Sequence, residues 1–368
     1  MQARYGRAIL FLGSGKPLEE REFPLPKEVE PHALLVKTTM ATVCGSDMHT
    51  WKGRRPFPTP SILGHKIVGE ILEIGESIDR DTAGRSISRG DRITWTIMSN
   101  CGVCKFCRME GLPQKCLSLF KYGHVRSDIP PYFTGGFAEY VYIKPGTCVF
   151  KIPEDMEDRE AVPLMCAAAT VTGGLESAKV ELCDNIVIQG AGMLGLYAAA
   201  IAKERGAKKV IVIDISDDRL KLAEEFGADI TVNASNLSEK DVINEVKNAT
   251  EGWGADLVME VTGVPSVIPL GIKMLRIGGR YILHGALYPK DEFTLDGHDV
   301  ITKCLTLIGL HNYDARHLGL VLDFVYKYRD KYPFRKLVGP EFPLTVDGVT
   351  RALKALENRE AIRPAVLP

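Results

Sequence analysis

The feature that most constrains this chain is a turn with glycines at Gly190, Gly192 and Gly195, set between an apolar run and a helix-like stretch. Ile186–Ile188 reads as a buried parallel strand. Leu194–Lys203 is rich in Ala and Leu, lacks Pro, and reads as a helix closed by Gly206. Lys209–Ile213 is a second apolar strand, and it ends on Asp214, about 20 residues beyond the last glycine. A glycine-rich turn alone is weak evidence, because such turns also serve as plain structural corners. Strand, G-x-G-x-x-G turn, helix, strand and terminal acid in this order specify a dinucleotide-binding unit. Gly190 permits the turn, Gly192 admits the pyrophosphate to the backbone, and Gly195 lets helix and strand pack closely. Met193 and Leu194 stand in the first helical turn, whose unpaired N–H groups and positive dipole end suit phosphate. Asp214 would accept hydrogen bonds from the adenosine ribose. Its carboxylate would repel a 2′-phosphate, which favours NAD over NADP, although Arg219 lies close enough to weaken that preference.

At 368 residues the chain is long enough for two domains, each with its own core. With 45% hydrophobic and 25% charged residues and a formal net charge of −1, it has no basic excess. Nucleic acid and anionic membrane surfaces are therefore not expected partners. Ala8–Leu12 is too short for the apolar region of a signal peptide, so a cytoplasmic location is expected. Nine cysteines without a secretory signal point to metal or catalysis in a reducing compartment.

Residues 1–150 are dense in short strand-like runs: Arg7–Phe11, Ala33–Thr39, Ile67–Ile74, Arg92–Ile97 and Ala138–Ile143. Beyond about Glu160, helical stretches alternate with apolar strands at Ile186–Ile188, Val210–Ile213, Leu257–Glu260 and Tyr281–Leu283, with Leu305–Ile308 as a fifth candidate. The expected fold class is α/β: a doubly wound parallel sheet beside a mostly β domain. The division expected is 161–304 for the dinucleotide-binding domain. Residues 1–160 and 305–368 make the other, the last stretch packing back on the first.

Cysteine spacing supplies the next constraint. Cys101, Cys104 and Cys107 recur at three-residue steps, with Cys116 shortly beyond. Four thiolates can enclose Zn²⁺ in a closed, structural site. Free or redox cysteines and an iron–sulfur cluster are the alternatives. A second grouping, Cys44, His65 and Cys166, offers two thiolates and an imidazole and leaves a fourth position open, as a catalytic zinc needs. Sequence separation alone does not connect those three, and a lone buried Cys or His is usually packed core.

The connection comes from a resemblance. The sequence resembles the zinc-containing alcohol dehydrogenases of the medium-chain dehydrogenase/reductase superfamily. The resemblance is carried by Cys44-Gly45-Ser46-Asp47-Met48-His49, Gly64-His65-Lys66-Ile67-Val68-Gly69, Gly90-Asp91-Arg92, the cysteine loop, Gly135-Gly136-Phe137-Ala138-Glu139-Tyr140, the glycine turn, and Gly254-Ala255-Asp256 with Thr262-Gly263. It implies a GroES-like β domain plus a Rossmann domain, with the active site in the cleft between them. It implies two zinc ions per chain: Cys44, His65 and Cys166 as catalytic ligands, and Cys101, Cys104, Cys107 and Cys116 as structural ones. Ser46 and His49 then match a relay for the alcohol proton, and Asp47 the carboxylate that orients the ligand histidine. Thr170 matches a nicotinamide contact, Arg219 an adenosine-ribose contact and Arg363 a pyrophosphate contact. The implied reaction moves hydride between an alcohol, or its aldehyde or ketone, and NAD, with zinc as Lewis acid. A homodimer or homotetramer joined near Leu305–Leu310 is also implied. The substrate pocket would take loops near Thr50–Pro58, around Phe120 and around His311–Tyr313.

Plainer readings stand beside these. Ser46 and His49 read equally as surface turn residues, Asp47 as a helix cap and Thr170 as an ordinary helix residue. Cys148, Cys183 and Cys304 carry no motif, and His124, His284 and His311 are read as having no chemical part. Leu164–Thr170 is closer to the alcohol dehydrogenase pattern than to the Glu-Pro pair of polyol and threonine dehydrogenases. Leu112–Cys116 with Lys121–His124 also resembles a group associated with phosphonate catabolism. Two departures matter. The family's Gly-His-Glu is Gly-His-Lys here, so Lys66 stands where a carboxylate backs the zinc. Either zinc stays and ligand exchange changes, or Lys66 turns away to a carboxylate such as Glu70. A sensor that kept the fold and lost the open zinc site is the alternative that Lys66 favours. Second, Cys107–Cys116 is one residue longer than the usual spacing.

Overall fold

A computed structural model describes residues 4–285 and 291–368. It divides into two compact units: Met1–Cys166, Asp314–Arg329 and Phe334–Pro368 form one, Ala167–Tyr313 and Asp330–Pro333 the other.

The first unit opens with nine strands: β1 (Tyr5–Phe11), β2 (Glu19–Pro24), β3 (Leu34–Thr42), β4 (Ser61–Ile62), β5 (Lys66–Ile74), β6 (Arg92–Ser99), β7 (Phe120–Lys121), β8 (Tyr140–Ile143) and β9 (Thr147–Lys151). Short helices α1 (Gly45–Trp51) and α2 (Lys105–Arg108) interrupt them. β1 pairs antiparallel with β2 and β4 in a small sheet. β3, β5, β6 and β7 form consecutive antiparallel neighbours in a larger one, with β8 beside β3 and β9 beside β6. Apolar residues from β1, β3, β4 and the 133–142 segment, among them Ile9, Leu10, Leu35, Ile62 and Phe137, share one buried cluster.

The second unit holds β10 (Asn185–Gln189), β11 (Lys209–Asp214), β12 (Ile230–Asn233), β13 (Ala255–Glu260), β14 (Leu275–Leu283) and β15 (Thr306–Gly309). All six are parallel, in the order β12-β11-β10-β13-β14-β15, a doubly wound sheet. The apolar runs read from the sequence are all here. β12 is the addition: four residues with half-buried ends give too weak an apolar signal to read beforehand. At the head of the sheet the turn is held by backbone geometry. Gly190 has φ +110 and its N–H donates to the Ile213 carbonyl at 2.8 Å. The helix Met193–Glu204 starts there, and a Cβ on Gly195 would stand 1.8 Å from the Gly190 oxygen.

The chain returns to the first unit with helix Ala315–Tyr328, then β16 (Glu341–Pro343) and β17 (Ala365–Leu367). β17 pairs with β3, and the helix Val346–Glu357 buries Val349, Ala352 and Leu353 in the same core cluster as β1. Thr345 caps that helix, its side chain accepting from Gly348 N at 3.0 Å.

Register then fixes what meets at one end of the larger sheet. Thr42 lies opposite both Lys66 on β5 and Ala365 on β17. The residues one or two steps beyond, Cys44, His65 and Arg363, are thereby brought to the same sheet end. Among the described residues no helix is long and apolar enough to cross a membrane.

The two turn glycines predict different stability effects. Gly195→Ala drives a methyl into fixed backbone and is expected to cost at least about 2 kcal/mol. A Cβ on Gly192 meets nothing within 4 Å, so Gly192→Ala should leave the unfolding midpoint close to wild type. Thermal unfolding of both variants checks the contrast, and equal midpoints would refute it.

Candidate functional site

The first cluster grows from the start of α1. Cys44 is its N-cap residue in extended backbone, and the Cys44 N–H donates to Asp47 Oδ2 at 2.8 Å. Asp47 Oδ1 accepts from Gly64 N at 3.3 Å and from His65 Nδ1 at 3.3 Å. A carboxylate only accepts, so His65 carries its proton on Nδ1 and keeps the lone pair on Nε2. Asp47 thus caps the helix and orients the histidine at once. Cys166 arrives on a π-helical turn, Leu164–Ala168, a local widening common at functional positions. Ligand atoms of Cys44, His65 and Cys166 lie within 4.8 Å of one another. Two sulfurs and one nitrogen with a position left open suit zinc in an open site. The Cys166 side chain hydrogen-bonds to Cys44 and holds the Cys44 thiol well below its ordinary value, against burial and with help from Lys66, Arg363 and His65. That favours the thiolate a metal needs.

Lys66 does not turn toward Glu70. It is fully buried, with Nζ 3.3 Å from His65 Nε2, whereas Glu70 is exposed. The ammonium donates to the lone pair that a metal would take. His124, read above as chemically idle, packs its ring 5.0 Å from that of His65 and 5.6 Å from Phe57. Its Nδ1 donates to the Tyr122 carbonyl at 2.8 Å, and burial pushes its pKa well down, so the ring is neutral. Ser46 lies half-buried in the first turn of α1, and its carbonyl accepts from Arg55 Nη2 at 3.4 Å. His49 is one turn further on the same face, and its Nδ1 accepts from Arg54 Nη1 at 3.0 Å. Arg363 is buried, donates from Nη1 to the Val43 carbonyl at 2.9 Å, and has no acceptor for Nε.

The second cluster is the cysteine loop. Sulfur–sulfur distances are 3.5 Å for Cys104–Cys107, 3.5 Å for Cys101–Cys116 and 4.0 Å for Cys104–Cys116. A tetrahedron with zinc–sulfur bonds of about 2.3 Å has edges of about 3.8 Å. All nine cysteines are free thiols. A 3₁₀ turn, Pro113–Lys115, leads into Cys116, and the longer spacing still brings Cys116 to the other three sulfurs. Backbone N–H groups point at the sulfurs, as in Cys101 N to Cys116 Sγ at 3.2 Å and Ser118 N to Cys116 Sγ at 3.3 Å. The amides of Leu117 and Cys107 bring the Cys104 thiol down to about 6. Cys148, Cys183 and Cys304 belong to neither cluster.

In the second unit, Asp214 closes β11 with its carboxylate accepting from Ala191 N at 2.7 Å, Ile215 N at 2.8 Å and Ser216 N at 3.1 Å. It fastens the glycine turn to the end of the second strand. Met193 is buried and Leu194 half-buried in the helix that follows. Arg219 is half-buried on helix Asp217–Glu225, and Thr170 half-buried on helix Ala169–Ser177. His284 is buried, and that burial pushes its pKa down to about 4, so it is neutral at pH 7.

Comparison with known proteins agrees with this architecture. Residues 30–154 match the alcohol dehydrogenase GroES-like domain and residues 194–326 the zinc-binding dehydrogenase domain. L-threonine 3-dehydrogenase from Pseudoalteromonas translucida (strain TAC 125) is 33% identical over 77% of this chain and 78% of its own length. 5-exo-hydroxycamphor dehydrogenase from Pseudomonas putida is 27% identical over 99% of each. The crystal structure of an alcohol dehydrogenase from Thermotoga maritima superposes with a TM-score of 0.93 at 32% identity, covering 99% of this chain and 100% of that one. The chain belongs to the zinc-binding alcohol dehydrogenases of the medium-chain dehydrogenase/reductase superfamily and is a zinc-dependent oxidoreductase.

Proposed function

We propose that the chain is an NAD-dependent alcohol dehydrogenase with two zinc ions, one catalytic and one structural. The observation that carries this reading is the convergence of Cys44, His65 and Cys166 ligand atoms within 4.8 Å, with Asp47 behind the histidine. Zinc in that site supplies Lewis-acid polarisation of the substrate oxygen, and the nicotinamide supplies or takes the hydride. The remaining steps belong to the side chains. Cys44 and Cys166 would neutralise the metal charge, and Asp47 holds the Nδ1 proton of His65 so that Nε2 keeps the lone pair a ligating nitrogen needs, once Lys66 gives it up. Ser46 Oγ takes the alcohol proton and passes its own to His49, which receives it at Nδ1 in place of the hydrogen bond from Arg54. Cys101, Cys104, Cys107 and Cys116 hold the second ion as a closed crosslink.

For the cofactor, Gly190, Gly192, Met193, Leu194 and Gly195 form the pyrophosphate cradle. Asp214 is the ribose acceptor, with Arg219 beside the adenosine and Thr170 at the nicotinamide. Arg363 is the proposed pyrophosphate contact, supported by a buried Nε that has no acceptor. The Asp214 carboxylate supports NAD over NADP. A homodimer or homotetramer through β15 is supported by its position at the edge of the six-stranded sheet. Nine free thiols support a cytoplasmic setting.

The test is NADH formation by zinc-loaded protein across simple primary and secondary alcohols. Turnover is expected with NAD at higher kcat/KM than with NADP, and Asp47→Asn should weaken catalytic zinc about 10- to 100-fold. No turnover with any alcohol, aldehyde or ketone would refute the proposal. Lys66 yields a separate expectation. Its ammonium sits on the His65 lone pair, and a metal must displace it; because two thiolates neutralise the ion, the net opposition is below the roughly 4 kcal/mol of two unit charges 4 Å apart at an effective dielectric of 20. Lys66→Met should therefore tighten catalytic zinc by about tenfold or more in chelator competition while sparing the structural ion. Unchanged affinity would mean that Lys66 swings clear at no cost.

A further inference from the structure

The segment that leaves β7 is pinned against the turn that carries His65. Tyr122 is buried, its N–H donating to the Ile97 carbonyl at 2.9 Å and its hydroxyl lying 2.8 Å from Thr147 Oγ1. Gly123 follows with φ +67, and its N–H donates to the Thr134 carbonyl at 2.6 Å. A Cβ on Gly123 would stand 3.0 Å from the Gly64 oxygen and 3.1 Å from His65 Cβ. Glycine therefore lets this segment lie directly on the metal-ligand turn. His124 comes next, its ring 5.0 Å from that of His65 and 5.6 Å from that of Phe57.

The His124 ring is hydrogen-bonded at one end only. Nδ1 faces the Tyr122 carbonyl at 2.8 Å and must carry the proton, so Nε2 presents a lone pair. Among the described residues no donor meets that lone pair, and Nε2 keeps contact with solvent-accessible space. The nitrogens of His284, by contrast, are both enclosed. His124 is also not one of the groups whose ligand atoms gather within 4.8 Å. It stands beside a metal ligand without joining the set, and neither the metal chemistry nor the relay through Ser46 and His49 uses it. An acceptor fixed in direction and walled by an aromatic ring suits a donor on the substrate. That donor is a hydroxyl and not an ammonium. Asp47, the carboxylate against His65, has both oxygens engaged by Cys44 N, Gly64 N and His65 Nδ1. Lys66 already puts one ammonium 3.3 Å from His65 Nε2. A second cation would meet repulsion there, whereas a hydroxyl needs only the lone pair.

We propose that His124 is a specificity residue whose Nε2 accepts a hydrogen bond from a second hydroxyl of the substrate, so that the preferred alcohols carry a hydroxyl next to the reacting carbinol. This rests on the zinc-centre reading above, because the second hydroxyl is placed relative to the one that zinc would hold. The hydride and proton steps do not pass through His124.

The test uses zinc-loaded enzyme at about pH 8, above the ordinary histidine value. It compares 2,3-butanediol with 3-methyl-2-butanol, in which a methyl replaces the second hydroxyl, and with 3-methoxy-2-butanol, which keeps the oxygen and lacks the donor. The diol is expected to have a kcat/KM at least about tenfold above both. His124→Phe keeps a ring and removes the acceptor, and should cut the diol advantage about tenfold, mainly through KM. His124→Gln returns a carbonyl acceptor and should restore part of it. A ring that only packs would, on replacement, slow all three alcohols alike and leave the ratios unchanged. Nitrogen-15 NMR of the zinc-loaded protein without NAD gives a readout independent of turnover. The His124 Nε2 resonance, assigned by its loss in His124→Phe, should move with 2,3-butanediol and stay with 3-methyl-2-butanol. Turnover with no diol advantage, or an advantage unmoved in His124→Phe, would overturn the inference and leave the dehydrogenase reading intact. No turnover of any alcohol, with an Nε2 resonance that still moves for the diol alone, would overturn the dehydrogenase reading and leave diol recognition by His124 standing.

Discussion

The Asp47 carboxylate is the constraint on which the first cluster depends. One oxygen closes the start of α1 by accepting from Cys44 N, and the other reaches Gly64 N and the His65 ring. The segment leaving β3 and the segment entering β5 are thereby fixed to one buried anion. The antiparallel register that sets Thr42 opposite Lys66 makes this reach short. Without the carboxylate, His65 would lose both its tautomer and its direction, and the Cys44 backbone N–H would be left without its cap. Burial makes the arrangement stringent, because Asp47 and His65 are each 1% exposed and neither can turn to water.

The two cysteine-containing clusters answer different physical needs. The 100–118 loop has almost no core of its own: Val103, Met109 and Leu117 are 66%, 79% and 75% exposed. Four thiols near tetrahedral spacing, supplied with backbone N–H groups, would give that loop, on binding the proposed zinc, a crosslink where packing gives none. The Cys44, His65 and Cys166 cluster lies in the opposite setting, among buried side chains and excess positive charge. There the proposed zinc has an open position and serves chemistry, not crosslinking. Lys66 belongs to this second logic. A carboxylate in its place would compete for the metal as a ligand, whereas an ammonium competes for the imidazole.

Much of this was legible in the sequence, for reasons that differ by residue. The glycine turn could be read because backbone atoms meet there: no side chain fits where Gly195 faces the Gly190 oxygen. The cysteine loop could be read because its ligands are local, so spacing alone encodes their geometry. Cys44, His65 and Cys166 are distant in the chain, and their grouping came from resemblance, not spacing. His124 was missed because a loop brings it to the cluster through tertiary packing that no periodicity reports. Lys66 was visible as a departure, but its burial against His65, in preference to Glu70, is set by the start of β5 and not by composition. β12 was missed because a short, half-buried strand resembles a loop.

The central claim is that an open, three-ligand zinc site stands beside a closed one in the same chain. Zinc per chain, measured by elemental analysis on the wild type and on Cys166→Ala, tests it most directly. Two ions falling to one is the predicted result. One ion in both proteins would contradict it, and Lys66 would then mark a site that no longer holds metal.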